Sequence, residues 1–597
     1  MLEQNNIIYD LEDLVKSDLQ TLTHLDLQLK NFKVDDIFLN QLNFSLKNCQ
    51  QIQTLKIQLN NGYITGKILE KILNELPEYN NLTSLSLNLN DNQELKLQGA
   101  KIVRQFLLKC LNVTELKLLQ SSNYFEDKGV LEITEAILQM KNILYLELDL
   151  AYNNLDDTSA LALSDTIKNY KNLSTLMLEM SGNLFKDEGA TSLSQVFTNC
   201  TNLKNVQISL GANQIGNIGA SNLAKELGNL TDLTSLDFDF WSNLITDKSV
   251  CDIAEGIGKC TKLTKLQLTL QKNLIGDMGV SRIGQILNQL TELKILHLYL
   301  WQCQIGNTGA ASIGEGLKGC KKLIEVEISL SKNQIGDEGA ISIGQGLSNC
   351  TEVTNLLLYM WDNKITDEGV QAIGMGLRNC KNLIDFELEL EKNQISNLGA
   401  ISLGEGFSKC TQLQKLQFYI WTNQIGDEGA NAIAEGISQC KNLTNLDISF
   451  VKNLIGNQGA SHLLEKLSKC AQLSELTLFL EKNLIGDQGA FEISKWLVNF
   501  NNLKQLELNL GENEITEKGY ISIGTSLSKV AKLMTLMLTL TQSEKYLKSS
   551  DLANCKNINN LHIDITNCFS VSDQQYQRRK ALKIKRLVKL KTKFFDD

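Results

Sequence analysis

The sequence predicts an α/β solenoid of about nineteen repeats, with a parallel sheet on its concave face and helices on its convex face. Three observations carry this prediction: a pattern that returns every thirty residues, a half-repeat whose apolar residues alternate, and a second half-repeat whose apolar residues recur every three or four positions. We divide the 597 residues into an N-terminal cap (1–24), the repeats (25–568) and a basic C-terminal tail or cap (569–597).

The thirty-residue period is clearest where VEISLSKNQIGDEGAISIGQGLSNCTEVTN (326–355) returns as LLLYMWDNKITDEGVQAIGMGLRNCKNLID (356–385). One asparagine recurs in register along most of the chain, and Cys303 takes its place once. The asparagines of this register are Asn123, Asn153, Asn183, Asn213, Asn243, Asn273, Asn333, Asn363, Asn393, Asn423, Asn453, Asn483 and Asn513, with Asn92 one residue out. One structural unit is therefore reused along the chain.

The first half of each unit has the alternation of a β-strand. Val326, Ile328 and Leu330 point one way, whereas the intervening polar residues point the other. We expect such strands from Leu25–Leu29 to Leu561–Ile565. Before the first strand, an N-terminal cap is expected to cover the first repeat with the apolar residues Ile8, Leu11, Val15, Leu19 and Leu22.

The second half has the spacing of an amphipathic helix. Ala340, Ile343 and Leu347 form one apolar stripe, and Asp337 is the predicted N-cap. Gly344 and Gly346 lower helix propensity by about 1 kcal/mol each, so we expect them to let neighbouring helices approach closely. Because strands pack ~4.8 Å apart and helices ~10 Å apart, the stack is expected to curve into a horseshoe.

The motif L-x-x-L-x-L-x-L-x-x-N-x-I-G-D-x-G-A, present from Leu263 to Val280, resembles the ribonuclease-inhibitor-like class of leucine-rich repeat, lengthened by two residues in the strand. The resemblance implies that the repeated asparagine bonds backbone groups of neighbouring turns, with cysteine as the usual alternative. It specifies fold more closely than function, because the family includes enzyme inhibitors, sensor arms, GTPase activators and scaffolds.

Eleven cysteines also follow the repeat: Cys49, Cys110, Cys200, Cys260, Cys320, Cys350, Cys380, Cys410, Cys440, Cys470 and Cys555. At the end of each helix, neighbouring copies would stand roughly one helix spacing (~10 Å) apart, beyond the ~7 Å limit for a disulfide. We therefore predict reduced core residues.

The residue types of a catalytic or metal site are sparse. The four histidines, His24, His297, His462 and His562, never share a repeat or adjacent repeats. The recurring aspartates such as Asp337 stand at helix starts, and the Gly-x-Gly triplets lie inside helices rather than at a phosphate-binding turn. We predict no enzymatic activity, no cofactor and no metal.

Charge on the predicted strands points to a protein partner. No arginine occurs in a strand, which argues against nucleic acid on the concave face. The outward strand positions instead carry the acids Asp237, Asp239, Glu327, Glu387, Glu389, Glu391, Asp447, Glu481 and Glu507. The formal charge of −10 becomes −16 on residues 1–572, because residues 573–597 hold nine basic and three acidic residues. This balance favours a basic partner.

A second period of sixty residues concerns aromatic side chains. Trp241, Trp301, Trp361 and Trp421 share one outward position in alternate repeats, and Tyr299, Tyr359 and Tyr419 stand two residues before three of them. Intervening repeats carry Gln271, Ser331 and Glu391 there. Either these aromatics stack over smaller neighbours of a duplicated unit, or they form a ladder that anchors a protein partner. The partner-binding hypothesis takes these seven aromatics with Glu387, Glu389 and Glu391.

The two ends of the sequence bear on location. The N-terminus has acids where a secretory signal needs basic charge, so we expect a cytoplasmic or nuclear protein. The basic segment from Arg578 to Lys593 is predicted either to cap the last repeat or to contact a membrane, a calmodulin-like protein or the nuclear-import machinery.

These observations predict a non-catalytic scaffold or inhibitor that binds a protein on an acidic, aromatic concave face. The alternative is a GTPase-activating protein of the Ran-activator type, which the resemblance brings in because that group shares the repeat class. Its members typically have fewer repeats and an acidic tail, whereas this tail is basic. A detached sensor arm is a third interpretation, without a recognisable nucleotide-binding or kinase domain beside it.

Overall fold

The computed structural model describes residues 7–8, 14, 19–28, 36–60, 64–74, 76–541 and 558–566. The chain divides into two compact units, Met1–Ile275 and Gly276–Asp597. Within the described residues, both units alternate strands with helices.

The strands of the first unit are β1 Ile7–Ile8, β2 His24–Gln28, β3 Thr54–Gln58, β4 Ser84–Asn88, β5 Glu115–Leu119, β6 Tyr145–Asp149, β7 Thr175–Glu179, β8 Asn205–Ser209, β9 Ser235–Asp239 and β10 Lys265–Thr269. Its helices are α1 Asp36–Asn48, α2 Gly66–Leu73, α3 Lys96–Leu107, α4 Glu126–Ile137, α5 Asp157–Ile167, α6 Asp187–Asn199, α7 Asn217–Leu227 and α8 Asp247–Gly258.

The strands of the second unit are β11 Ile295–Tyr299, β12 Glu325–Ser329, β13 Asn355–Tyr359, β14 Asp385–Glu389, β15 Lys415–Tyr419, β16 Asn445–Ser449, β17 Glu475–Phe479, β18 Gln505–Asn509, β19 Thr535–Thr541 and β20 Asn560–Thr566. Its helices are α9 Asp277–Leu287, α10 Asn307–Leu317, α11 Asp337–Leu347, α12 Asp367–Leu377, α13 Asn397–Phe407, α14 Asp427–Ile437, α15 Asn457–Leu467, α16 Asp487–Leu497 and α17 Glu517–Leu527.

The strands of each unit pair in parallel with their sequence neighbours. Val326 lies opposite Leu356, so the register advances by one thirty-residue repeat. Val326, Ile328 and Leu330 are fully buried, whereas Glu327 between them is partly exposed. The parallel sheet and the alternating helices confirm the predicted fold class, and β2–β20 supply the nineteen expected repeat strands.

Close helix packing explains the glycines inside the helices. A Cβ on Gly344 would collide with the carbonyl oxygen of Ala372, and one on Gly376 would collide with that of Gly344. The prediction that these glycines allow close approach of α11 and α12 is therefore confirmed.

The repeated asparagine forms a ladder of hydrogen bonds. Asn333 Nδ2 donates to the carbonyl oxygens of Leu300 and Leu330 (both 2.9 Å), and its Oδ1 accepts from the backbone N–H of Ile305 (3.1 Å). The same bonds recur at neighbouring repeats, for example from Asn363 to Leu330. The structural role implied by the resemblance is confirmed, because the side chain closes polar groups that the strand end leaves unpaired.

The prediction that Asp337 caps its own helix was wrong. Gly336 is the N-cap of α11 and Asp337 is its first residue. The Asp337 carboxylate instead accepts from the backbone N–H groups of Thr366 (2.8 Å) and Gly369 (3.0 Å), at the start of α12. Asn307 does the same for Gly336 (2.7 Å) at the start of α11. In these repeats, the first residue of one helix therefore caps the next helix, because stacking brings successive first turns together.

Ten of the eleven periodic cysteines are buried and unpaired, as predicted, and Cys555 lies outside the described residues. The Cys320 Sγ donates to the Leu287 carbonyl oxygen at 3.2 Å. Burial raises the pKa of Cys350 to about 12, which keeps its thiol protonated and unreactive.

The predicted ends are described only in part. Ile7 and Ile8 pair in parallel with Asp26 and Leu27, and Leu22 is buried. Leu11 and Val15 lie outside the described residues, as do the tail 569–597 and the segment before the last strand. No helix among the described residues combines the length and apolar composition that a membrane span needs.

Candidate protein-binding face

The outward side chains of the second unit form two rows that run across neighbouring strands, and we call this surface the strand face. Strand register places Tyr299, Ser329, Tyr359, Glu389, Tyr419 and Ser449 side by side in the first row. Two residues later, the second row holds Trp301, Ser331, Trp361, Glu391 and Trp421. The residues predicted from the sixty-residue period thus lie in neighbouring repeats of one surface.

The main chain holds the tryptophan positions firmly. Lys332 N–H donates to the Trp361 carbonyl oxygen (2.8 Å), and Lys392 N–H donates to that of Trp421 (3.0 Å). The residue after Trp361, Asp362, has φ of 57°, which turns the chain away from the strand. The three indole side chains of the second row, at positions 301, 361 and 421, are partly exposed. Their exposure leaves ring surface for a ligand.

The residues between the tryptophans are covered. Ser331 is 1% exposed and Glu391 is 5% exposed. Trp421 Nε1 donates to Glu391 Oε1 at 2.9 Å. Glu391, predicted as a partner contact, therefore lies mainly within the packing of the strand face. This covering is what the stacking interpretation of the aromatics expects.

Two lysines that the sequence-based prediction missed lie over the indole rings. The Lys332 ammonium is 5.9 Å from the Trp301 centroid and 4.9 Å from that of Trp361. The Lys392 ammonium is 5.7 Å from the Trp361 centroid and 5.0 Å from that of Trp421. The sequence signal for them is the sixty-residue spacing that they share with the tryptophans, each lysine lying 31 residues after one tryptophan and 29 before the next. Cation–π contacts of this length are attractive.

Carboxylates on β14 and just after it stand beside these aromatics in a partly desolvated setting. Burial, with repulsion from Glu387, raises the pKa of Glu389 to about 7. Burial, and then the charges of Glu389 and Glu387, raises the pKa of Glu391 to about 8, although the Trp421 N–H opposes the shift. These groups gain negative charge as the pH rises through the neutral range.

The tyrosines tie the acids to the first row. The Tyr359 hydroxyl bonds Glu387, and burial followed by the surrounding carboxylates raises the Tyr359 pKa. The Tyr419 hydroxyl donates to Asp447 Oδ2 at 2.8 Å. Tyr299 makes an edge-to-face contact with His297, with ring centroids 6.4 Å apart. Hydroxyls and carboxylates are thus preorganised on the face.

A pocket of about 270 Å³ opens on the strand face, lined by Trp301, Ser329, Tyr359, Trp361, Glu387 and Glu389. Five of these six residues, all except Ser329, belong to the predicted partner-binding set.

Trp241, the tryptophan of the first unit, has its own setting. Its indole lies against Gly211, where a Cβ would collide with the ring. The Lys272 ammonium is 5.7 Å from its centroid, and the Trp241 backbone N–H donates to Asp239 Oδ1 at 2.8 Å. Burial raises the pKa of Asp239 to about 7. Aromatic, lysine and buried acid recur here within one unit.

Possible metal ligands are scattered in the part of the chain that the structure describes. No three His, Cys, Asp or Glu side chains there are grouped so that they could hold a metal ion. His297 lies 2.8 Å from Glu325, and neither residue lines the pocket.

A family model described as "Leucine Rich repeat" matches residues 145–164, 326–344 and 355–374. These matches include strands β6, β12 and β13 and the starts of the helices that follow them, within the alternating architecture. The chain is a leucine-rich-repeat protein. No curated protein is significantly similar to it. Leucine-rich-repeat domains are generally non-enzymatic scaffolds that bind protein partners.

Proposed function

We propose that this leucine-rich-repeat protein, of the ribonuclease-inhibitor-like class, is a non-catalytic scaffold or inhibitor that grips a protein partner on its strand face. The observation that supports it best is the second row, in which Trp301, Trp361 and Trp421 are partly exposed at positions held by the main chain. Rigid aromatic anchors contribute much of the affinity of protein interfaces, because they bury a large area with little loss of side-chain entropy.

The charge of the face supports a basic partner. Glu327, Glu387 and Glu389 are partly exposed around the pocket, and further along the face Asp447 and Glu507 are also acidic. Lys332 and Lys392 are directed to the indole rings. A basic partner would associate faster through electrostatic steering, and added salt would slow this association.

Affinity capture followed by mass spectrometry identifies the partner, with wild type and a Trp301→Ala/Trp361→Ala double variant as baits. Quantitative binding of the purified partner to Trp361→Ala then tests the role of the anchor. We expect a loss of at least about 2 kcal/mol in binding with folding nearly intact. Trp496→Ala, on helix α16, is the matched control that should leave binding unchanged.

The stacking interpretation of the aromatics gives the opposite result. Trp361→Ala would then lower stability by a kilocalorie per mole or more, and binding would fall only through unfolding. A partner that ignores salt and all four repeat tryptophans would also overturn the proposal. The GTPase-activating alternative and the cytoplasmic or nuclear location stay predictions from the sequence.

A further inference from the structure

In the second unit, we call the space between the aromatic side chains of two successive aromatic repeats a gap, and the intervening repeat fills each gap with different side chains. Between Tyr299/Trp301 and Tyr359/Trp361, the intervening repeat offers only Ser329 and Ser331. In the next gap, the equivalent positions hold Glu389 and Glu391, sixty residues later. Glu391 fills its gap and bonds Trp421, whereas the pocket of about 270 Å³ opens over Ser329. The chain therefore completes one gap itself and leaves the other open.

The walls of this pocket have the chemistry of a cation site. Trp301, Tyr359 and Trp361 contribute aromatic rings, and Glu387 and Glu389 contribute carboxylates. Aromatic rings attract an ammonium ion through their quadrupole, and the attraction is stronger when the ammonium is desolvated. A carboxylate beside the rings adds a charge-assisted hydrogen bond.

The chain's own side chains show which cation suits these rings. Lys332 already places an ammonium within 6 Å of the centroids of both Trp301 and Trp361. It follows Ser331 in the second row and does not line the pocket, which lies over Ser329 in the first row. The pocket provides volume beside both rings for a second ammonium.

We propose that the pocket over Ser329 receives a lysine side chain of the protein partner, with the alkyl chain against Trp301 and Trp361 and the ammonium at Glu387 and Glu389. This inference rests on the proposed function, because it assumes that the partner docks on the strand face. Burial, with repulsion from Asp385 and Glu327, raises the pKa of Glu387. Burial, with repulsion from Glu387, raises the pKa of Glu389, so a counter-charge beside the two carboxylates would be favourable.

The test uses the full chain labelled with 5-fluorotryptophan and observed by fluorine NMR. The probes are Nα-acetyl-lysine amide, the uncharged isostere Nα-acetyl-norleucine amide, and Nα-acetyl-arginine amide. We expect the lysine probe to shift the signals of Trp301 and Trp361 but not that of Trp496. The norleucine probe should bind at least about tenfold more weakly, because it lacks the ammonium.

Ser329→Leu fills the pocket and should weaken binding of the lysine probe at least about tenfold. Ser449→Leu is the matched control, since Ser449 occupies the same row, is equally buried and lies outside the pocket. Should Ser329→Leu fail to fold, the comparison of the lysine and norleucine probes on wild type still decides. Equal binding of those two probes, stronger binding of the arginine probe, or unchanged binding to Ser329→Leu would each overturn the inference.

The partner itself separates this inference from the proposed function. If the partner needs Trp361 but binds Ser329→Leu as well as wild type, the lysine site is wrong and the strand face stands. If the partner ignores Trp361 while the lysine probe binds, the proposed function is wrong and the pocket takes a free alkylammonium compound instead.

Discussion

Glu391 should make the protein less stable as the pH rises, and its replacement by glutamine should remove this effect. The side chain is 5% exposed, one carboxylate oxygen accepts from Trp421, and the other has no hydrogen-bond partner among the described residues. Burial, with repulsion from Glu389 and Glu387 of β14, raises the pKa of Glu391 to about 8. Tyr359, Tyr419 and Lys392 are further titratable groups on this part of the strand face.

The direction of this pH dependence follows from proton linkage. The folded protein binds this proton more tightly than the unfolded chain, whose glutamate has a pKa of about 4.3. The resulting stability is fully present below that value and is lost as the pH rises through about 8. For a pKa of about 8, the loss of stability between about pH 6 and about pH 8.5 is on the order of 2–3 kcal/mol.

Denaturant unfolding of wild type and Glu391→Gln at these two pH values measures the effect. The amide keeps the acceptor for Trp421, so the two proteins should be similarly stable near pH 6 and the variant should be more stable near pH 8.5 by about 2–3 kcal/mol. Hydrogen exchange should place the gain in strands β13–β15, since repeats are stabilised by their neighbours. Glu481→Gln is the control, because Glu481 has the same position but is more exposed and bonds Asn509. Parallel pH dependence in wild type and Glu391→Gln would refute the reasoning.

Three further predictions concern the repeat itself. Asn333→Leu strands the backbone groups that the side chain now satisfies, at about 1–3 kcal/mol each, and an unchanged melting curve would contradict the ladder. Asp337→Ala should lower the free energy of unfolding by about 0.5–2 kcal/mol and speed hydrogen exchange at the start of α12. Asp337→Asn should retain the cap, so equal stability of the two variants would argue against capping between helices. Gly344→Ala should lower the free energy of unfolding by about 1–3 kcal/mol, although alanine has the higher helix propensity. Gly336→Ala, whose Cβ would meet only ordinary contacts, should lower it by only a few tenths of a kcal/mol. The reverse order of these two effects in calorimetry would contradict the close-packing argument.

The fold could be predicted from the sequence because its determinants are local and recur every thirty residues. Val326, Ile328 and Leu330 show a strand by their alternation, and Ala340 and Ile343 begin a helical stripe. The cap between helices was missed because the Asp337 carboxylate and the Thr366 N–H meet only after stacking. Within one repeat, Asp337 looks like an ordinary N-cap.

The alignment of the residues in the two rows could be predicted from the sequence, but the contacts among their side chains could not. Strand register follows from the period, so the alignment of Tyr299, Tyr359 and Tyr419 could be inferred. How each gap is filled depends on side-chain conformation. The turn of Glu391 toward Trp421 and the reach of Lys332 over two indoles are set by packing, which periodicity does not specify.

The sixty-residue alternation is not required by the core of the repeats. The core positions before the tryptophans, such as Leu330, Met360 and Leu390, are fully buried apolar residues in aromatic and intervening repeats alike. Packing alone explains the residue at position 391, because the long Glu391 side chain fills the gap and accepts a hydrogen bond from an indole. It does not explain the gap over Ser329, where two indoles and two carboxylates surround open volume. The stacking and binding interpretations therefore make different predictions for Ser329→Leu. If the aromatics are only structural, leucine should improve the packing; if they are anchors, leucine should block the partner.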